Sequence, residues 1–220
     1  MKTDFVLKQL SDNGFYVHDN FLQDKALLGL QESCAKVLFN APDSDYKFGK
    51  AARIGSLEAN KIKNPSIAKA FESKELNEIR DKVFNNDCNF TEIFLTHEFT
   101  NSNGIERNGY LHFDRIWTFK YFYYLSDVST LEDGPLKVVP ASHYMGAMLR
   151  TRQYGKPYEQ QDNRIQINYP EVYEDIQDTI EPIFGKAGTL VIFNTDTFHM
   201  GGNITGKNER KVCRLHMRQS

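Results

Sequence analysis

Apolar residues recur at helical spacing in the first part of the chain and at shorter spacing in the last part. The helical spacing predicts helices over residues 3–11 and residues 23–39, and two more helical segments within residues 64–84. Residues 15–17 follow an Asn-Gly turn and predict a strand. The front of the chain is therefore expected to be mainly helical.

From residue 90 onward, short apolar and aromatic runs separated by Gly and Pro predict strands. These runs cover residues 90–99, 110–114, 136–139, 180–184, 189–193 and 210–217. A turn at residues 101–104 would make the first two of these strands neighbours. Many short strands with such punctuation are typical of a sandwich or a barrel.

Length and charge limit the class of protein. A chain of 220 residues is most simply one domain, residues 1–220, with a helical part over about 1–89 and a β-rich core over about 90–220. The formal net charge is −2, so no global basic field indicates nucleic acid as a partner. The number of chains in the assembly is left open.

Cysteine usage and hydropathy indicate the compartment. Cys34, Cys88 and Cys213 are an odd number without Cys-x-x-Cys spacing, which favours reduced thiols. No apolar run is long enough to span a membrane, and the first residues lack the apolar region of a signal peptide. We therefore expect a cytoplasmic protein without a membrane partner.

Four residues carry the chemistry that the sequence suggests. His112 and Asp114 have i, i+2 spacing, so on a strand both side chains point to the same face. If His199 from a later strand joins them, two imidazoles and one carboxylate cap one face of an octahedral metal and leave other positions open. Arg210 then offers a planar, permanently charged fork for a carboxylate.

The sequence around these residues resembles the phytanoyl-CoA dioxygenase family of Fe(II)- and 2-oxoglutarate-dependent enzymes. After the His-x-Asp and a strand, residues 132–143 read Glu-Asp-Gly-Pro-Leu-Lys-Val-Val-Pro-Ala-Ser-His, close to the family's Asn-Gly-Pro-Leu and Pro-Gly-Ser-His stretches. A Gly-led strand at residues 188–193 then precedes the distal His and the Arg. Asp133 and Ala141 depart from the family's Asn and Gly, and neither is a proposed ligand.

The resemblance implies a fold and a reaction. The fold is mainly β with flanking α-helices, a double-stranded β-helix of jelly-roll, cupin-like form. His112, Asp114 and His199 would hold Fe(II), and Arg210 would bind the C5 carboxylate of 2-oxoglutarate. With O2, such enzymes release succinate and CO2, and the carboxylate ligand favours hydroxylation, although desaturation or cyclisation stays open.

Further candidate residues concern the cosubstrate and the substrate. Residues 117–124 form an aromatic strand that alternates between two faces, and Thr118 or Tyr121 is expected to line the cosubstrate pocket. Arg214 shares a strand face with Arg210 and is a candidate for substrate contact. The family resemblance implies that the polar segment 149–174 lies at the pocket mouth, where we expect it to act as a lid. Its arginines, Arg150 and Arg152 among them, favour a small polar metabolite as the substrate.

Two alternatives stay open on the sequence. One is a cupin-type metalloenzyme that does not use 2-oxoglutarate, in which Arg210 would lack a purpose. The other is a non-catalytic jelly roll that binds a small molecule, in which the metal-ligand pattern would be accidental. The affinity for 2-oxoglutarate separates these alternatives from the oxygenase.

Overall fold

Two antiparallel sheets and a set of helices make up the described part of the chain. The computed structural model describes residues 1–43, 49–100, 110–153, 164–167, 176–206 and 209–219. The α-helices are α1 Thr3–Asn13, α2 Asp24–Phe39, α3 Leu57–Lys63, α4 Pro65–Lys69, α5 Lys74–Val83 and α6 His143–Gln153, with a 3-10 turn at Gln177–Thr179. Among these, no helix has the length and apolar character that a membrane crossing requires.

The strands are distributed unevenly between the sheets. They are β1 Phe15–His18, β2 Gly49–Arg53, β3 Phe90–Glu98, β4 His112–Asp114, β5 Phe119–Tyr124, β6 Leu136–Val138, β7 Arg164–Gln166, β8 Glu181–Ile183, β9 Leu190–Asn194, β10 His199–Gly201 and β11 Arg210–Arg218. One sheet has the order β1-β9-β5-β11-β3-β2, and the other has the order β7-β4-β10-β6-β8. The predicted mainly β fold with flanking helices is confirmed.

The six-stranded sheet is covered by helices on its outer face. Phe119, Tyr121 and Tyr123 of β5 point to that face and pack with apolar side chains of the helices, such as Phe71 and Leu76. Serine caps the start of two of these helices: the Ser56 hydroxyl accepts from the Ala59 N–H at the start of α3, and the Ser73 hydroxyl accepts from the Leu76 N–H at the start of α5. The helices and the outer face of the large sheet therefore share one hydrophobic core.

The inner face of the same sheet packs on the second sheet. Phe122 and Tyr124 contact Leu136, Val138 and Ile183 of the five-stranded sheet. The Tyr124 hydroxyl also donates to the Ile183 carbonyl at 2.9 Å and accepts from the Leu136 N–H at 2.9 Å. The two sheets are therefore fixed to each other at one end, and the metal-ligand candidates lie further along the same interior.

One predicted strand pairing is wrong. β3 and β4 are not neighbours: β3 pairs with β2 and β11, whereas β4 belongs to the other sheet and pairs with β7 and β10. The long β11 offers β3 a register of nine residues, which a three-residue β4 does not offer. The predicted turn at residues 101–104 lies outside the described residues.

Two helices, α3 and α6, and two strands, β2 and β7, were not predicted. α3 precedes α4 with a Ser56 cap, and α6 occupies a stretch that begins at His143 and reaches into the supposed lid. β7 lies within the same polar segment and pairs with β4. The helical front also supplies β1 and β2 to opposite edges of the large sheet, and its division from the core at residue 89 stays a prediction.

Candidate metal centre

The structure brings the three predicted metal ligands together. His112 and Asp114 point inward from β4, and His199 at the start of β10 is the register partner of His112. One potential ligand atom from each residue lies within 4.8 Å of the others. The imidazole centroids of the two histidines are 4.3 Å apart, and Asp114 Oδ1 lies 3.8 Å from His199 Nε2. These donors converge on one point inside the sandwich.

Backbone carbonyls set the tautomer of both imidazoles. His112 Nδ1 lies 3.0 Å from the Tyr110 carbonyl, and His199 Nδ1 lies 2.7 Å from the Thr197 carbonyl. Since a carbonyl only accepts, each Nδ1 carries the hydrogen and each Nε2 keeps its lone pair. The same hydrogen bonds fix the ring planes, as is usual for metal-binding histidines.

Burial keeps both histidines neutral. It lowers the pKa of His112 to about 4, with Asp114 acting in the opposite direction. Burial, with the neighbouring His112, also holds the pKa of His199 well below its usual range. At neutral pH both Nε2 atoms are therefore available to a metal without the loss of a proton.

Lys120 orients the carboxylate of Asp114. Its Nζ donates to Asp114 Oδ2 at 2.7 Å, and both side chains are buried. Burial alone would raise the pKa of Asp114, but the charge and hydrogen bond of Lys120 act in the opposite direction, and the pKa is lowered, so the carboxylate is ionised. With Oδ2 held by the ammonium, Oδ1 is the oxygen that faces the histidines.

The contact of Lys120 with a metal ligand was not predicted. The sequence does carry a signal, because Lys120 is the charged residue in an aromatic strand, Phe119–Tyr124, whose side chains are all buried. A lysine in such a strand needs an anionic partner. The alternation of the strand places it on the same face as Thr118, which points towards the interior.

A cavity of about 620 Å³ surrounds these residues between the two sheets. Its wall is rich in cations: Arg53, Lys120, Arg164, Arg210, Arg214 and Arg218. The carboxylates in the same wall are Glu92, Glu98 and Asp114. With the histidines neutral, the lining has an excess of positive charge, so the cavity favours anions.

Arg210 faces the cavity but is not alone. Its Nη2 donates to Glu98 Oε2 at 2.7 Å, and both side chains are nearly fully buried. The Nε–H of Arg210 is buried without a hydrogen-bond partner in the described part of the chain. Glu98 was not singled out from the sequence, although Phe94 and Thr96, four and two residues before it on β3, line the same cavity. The pair positions the guanidinium and leaves donors unused.

Thr118 and Tyr121 lie on opposite faces of the sheet. Thr118 lines the cavity, with its hydroxyl donating to the Ile116 carbonyl at 3.1 Å. Tyr121 points away from the cavity into the helical layer, where its hydroxyl donates to the Leu76 carbonyl at 2.6 Å. Placing Tyr121 in the cosubstrate pocket is therefore wrong, because strand alternation sends it to the other face.

Of the three arginines expected to contact substrate, one lies in the cavity. Arg214 lines the wall on the face that β11 alternation predicts. Arg150 instead holds Asp196 through two hydrogen bonds of 2.7 and 3.0 Å, and Arg152 lies on the exposed last turn of α6. In the described part of the chain neither Arg150 nor Arg152 lines the cavity, so the structure gives no support to their assignment to the substrate.

The described residues of the polar segment 149–174, which was expected to act as a lid, lie in a helix end and a strand. Its first residues end α6, and Arg164 in β7 reaches the cavity opposite Asp114 in the β4 register. Arg53 of β2 also lines the cavity and was not predicted, since it precedes the β-rich part. The tyrosines of the segment, Tyr154, Tyr158, Tyr169 and Tyr173, lie outside the described residues.

A family model for phytanoyl-CoA dioxygenase (PhyH) matches residues 10–212. The chain belongs to this family. Its resemblance to the family is thereby confirmed, as is its class as an Fe(II)- and 2-oxoglutarate-dependent dioxygenase. A search of curated protein sequences finds no match.

Solved structures show that the fold is that of the double-stranded β-helix oxygenases. HygX from Streptomyces hygroscopicus, with nickel and 2-oxoglutarate bound, is similar at a TM-score of 0.68 and 16% identity, over 100% of this chain and 88% of that one. The epimerase SnoN, in complex with Fe3+, alpha ketoglutarate and nogalamycin RO, has a TM-score of 0.68 at 11% identity over 99% and 83%. EctD from S. alaskensis, in its apo form, has a TM-score of 0.68 at 14% identity over 99% and 77%.

Proposed function

We propose that this PhyH-family enzyme hydroxylates a C–H bond of a small polar metabolite and converts 2-oxoglutarate and O2 to succinate and CO2. The observation that carries the proposal is the convergence of His112, Asp114 and His199, each with one potential ligand atom within 4.8 Å of the others, while the Nδ1 hydrogen bonds leave both Nε2 atoms unprotonated. Two imidazoles and one carboxylate suit Fe(II) and leave coordination positions for a cosubstrate.

Fe(II) fits the donor set of this chain. His112 and His199 would each contribute Nε2, and Asp114 would contribute Oδ1 while Lys120 holds Oδ2. When bound, the iron and 2-oxoglutarate supply the oxidising power for C–H cleavage. The protein residues hold the metal, orient both organic molecules and keep the interior dry.

Arg210 is proposed to bind the far carboxylate of 2-oxoglutarate. Its buried Nε–H has no partner in the described residues, and a guanidinium has five donors of which Glu98 takes only some. Glu98 would then act as a positioning residue that keeps the guanidinium in the cavity. Thr118 lines the same cavity and is proposed to contact the cosubstrate with its side chain.

The cavity supports a small polar substrate. A volume of about 620 Å³ lies in the range of small-molecule sites and must also contain the cosubstrate. HygX has been solved with hygromycin B bound and SnoN is an epimerase, so related folds act on small molecules with different outcomes. Hydroxylation is our proposal for this chain, since the Asp114 carboxylate would fill the metal position that a halide ion would need for halogenation.

Family membership argues against the two alternatives raised by the sequence, a cupin that does not use 2-oxoglutarate and a non-catalytic jelly roll. We also propose a cytoplasmic location, which is supported by the free thiols of Cys34, Cys88 and Cys213.

The experiment measures succinate formed from 2-oxoglutarate with Fe(II), ascorbate and O2. We expect the wild type to form succinate slowly without a substrate, and His112→Ala, Asp114→Ala and His199→Ala to lose this activity together with Fe(II) binding. Arg152→Gln on the exposed end of α6 is the matched control and should behave as the wild type. Wild-type Fe(II) binding in His199→Ala would contradict the metal assignment.

The Arg210 assignment is tested by the KM for 2-oxoglutarate. Loss of a buried, charge-assisted pair costs about 2–5 kcal/mol, so Arg210→Ala should raise this KM by well over tenfold. Arg210→Lys should recover part of the affinity, because an ammonium cannot reproduce the two-pronged contact. An unchanged KM in Arg210→Ala would place the anchor on another cation of the cavity.

A further inference from the structure

We propose that the primary substrate carries an oxyanion, a carboxylate or a phosphate, that binds between Arg53, Arg214 and His216 on the inner face of the six-stranded sheet. This inference rests on the proposed function, since it assumes that the metal and 2-oxoglutarate occupy the sites described above. It names the chemical class of the substrate and the residues that recognise it.

The register of the sheet places the residues of this subsite around the ring of Phe94. Phe94 of β3 is the register partner of Arg53 on β2 and of Arg214 on β11, so the three side chains form a row across the sheet. The Arg53 guanidinium lies 4.3 Å from the Phe94 centroid and the Arg214 guanidinium lies 5.7 Å from it. His216 stacks on the same ring with centroids 4.7 Å apart and planes at 22°.

Arg214 is a partly buried cation with no salt-bridge partner among the described residues. Its Nε is buried with no hydrogen-bond partner, and no carboxylate within the described ranges forms a salt bridge with it. Burial lowers the pKa of its guanidinium, Glu98 acts in the opposite direction and Arg210 adds to the lowering. An arginine pKa starts so high that the group stays charged at neutral pH. Such a charge is costly to bury without an anion, so the position suits one supplied by a ligand.

His216 adds a neutral donor beside Arg214. Its Nε2 is buried and has no partner among the described residues. Burial, followed by Lys120, Arg214 and Arg53, holds the pKa of His216 well below its usual range, so the imidazole is uncharged at neutral pH. A neutral imidazole has one N–H to donate, and an oxyanion between the two arginines can accept it.

The carboxylates that line the cavity do not neutralise the two arginines of this subsite. Lys120 and Arg210 are matched by Asp114 and Glu98, each at 2.7 Å. Arg53 lies 3.8 Å from Glu92, but its side chain is 70% exposed, so this pair is weak. 2-Oxoglutarate is accounted for by Arg210, which lies four residues and about 13 Å from Arg214 along β11. The positive charges of Arg53 and Arg214 therefore face the primary substrate.

The first test is binding to the complete site. The protein is loaded with Mn²⁺ and saturating 2-oxoglutarate without oxygen, and titrated calorimetrically at constant ionic strength with methyl phosphate or with methanol as its uncharged counterpart. We expect methyl phosphate to bind and methanol not to bind. Arg214→Gln and Arg53→Gln should each weaken binding at least about tenfold, the loss of one charge-assisted contact. Arg152→Gln is the matched control and should bind as the wild type.

Equal affinity in all four proteins, no binding of methyl phosphate to the wild type, or its competition with 2-oxoglutarate overturns the inference. Because Arg53 is largely exposed, Arg53→Gln gives a result even if Arg214→Gln folds poorly.

The second test is turnover of a metabolite library, read by mass for products that gain one oxygen. We expect the converted compound to be anionic at neutral pH, and Arg53→Gln to raise the KM for this compound about tenfold more than the KM for 2-oxoglutarate. A neutral substrate, or an Arg214→Gln variant impaired mainly in the use of 2-oxoglutarate, overturns the inference while the proposed function stands. A wild type that forms no succinate contradicts the proposed function itself.

Discussion

Among the residues that are not metal ligands, Lys120 is the one whose replacement should weaken Fe(II) binding most. Its ammonium holds Asp114 Oδ2 at 2.7 Å and supplies the positive charge that keeps the buried carboxylate ionised. Lys120→Met keeps the bulk of the side chain and removes that charge. We expect Fe(II) affinity to fall about 10- to 100-fold, the usual effect of losing a partner of a metal ligand.

Anaerobic Fe(II) titration of Lys120→Met against the wild type measures this effect. Lys137→Met on β6 is a control outside the cavity lining. An affinity in Lys120→Met equal to that of the wild type would show that Asp114 needs no partner to bind the metal.

Tyr121 lies on the same strand as Lys120, but we assign it to the fold alone and not to the site. Its hydroxyl donates to the Leu76 carbonyl inside the helical layer. Tyr121→Phe should lower the free energy of unfolding by about 1–2 kcal/mol, because a buried carbonyl loses its partner. The KM for 2-oxoglutarate should not change. Urea denaturation and succinate kinetics check both points, and a higher KM would return Tyr121 to the cosubstrate pocket.

At the scale of elements, α6 is packed against the loop that leads to His199. Arg150 holds Asp196, and Gly146 lies so close that an added Cβ would be 1.8 Å from the Asp196 carbonyl oxygen. The contact is with backbone, so no side-chain movement relieves it. The helix and this loop must therefore keep their spacing for His199 to keep its position.

Gly146→Ala should shift α6 or the loop and cost about 1–3 kcal/mol of stability, with weaker Fe(II) binding as a second effect. Gly29→Ala is the matched control, since its Cβ would lie 3.9 Å from Ser66 Oγ and alanine favours a helix interior. Thermal denaturation and Fe(II) titration of both variants decide the matter. Equal stability of Gly146→Ala and the wild type would mean that α6 adapts freely.

The elements also show what the sequence could predict. Helices with an apolar stripe, such as α1 and α2, and strands with alternation, such as β11, were predicted to within a few residues, because the pattern is local. The pairing of β3 was predicted wrongly, since it depends on a nine-residue register with distant β11 and not on the neighbouring chain. α6 was missed because its hydrophobic and polar residues do not separate into two faces.

At the scale of the whole molecule, the distribution of charge matters more than its sum. The formal net charge is −2, which indicated no global basic field and gave no sign of a cationic interior. The ligand triad was predictable because its spacing is a local motif joined to a family pattern. The roles of Glu98 and Arg53 were not predictable, because they arise from β3 lying beside β11 and from β2 lying beside β3.

Buried neutral histidines make the metal-free protein sensitive to acid. The pKa of His112 is about 4 in the folded protein and near 6.5 in an unfolded chain, so between these pH values the unfolded chain binds more protons. Stability therefore falls as pH drops from 6.5 towards 4. Urea denaturation with chelator at several pH values measures this slope, which His112→Gln should reduce. A flat profile would contradict neutral burial of the imidazole.

The most direct measurement is a crystal structure of the protein prepared without oxygen, with Mn²⁺ and 2-oxoglutarate. The account predicts one metal ion bound by His112 Nε2, Asp114 Oδ1 and His199 Nε2, with the far carboxylate of 2-oxoglutarate on Arg210. Lys120 should remain on Asp114 Oδ2. A metal ion at other residues, or 2-oxoglutarate bound away from the metal, would contradict the account.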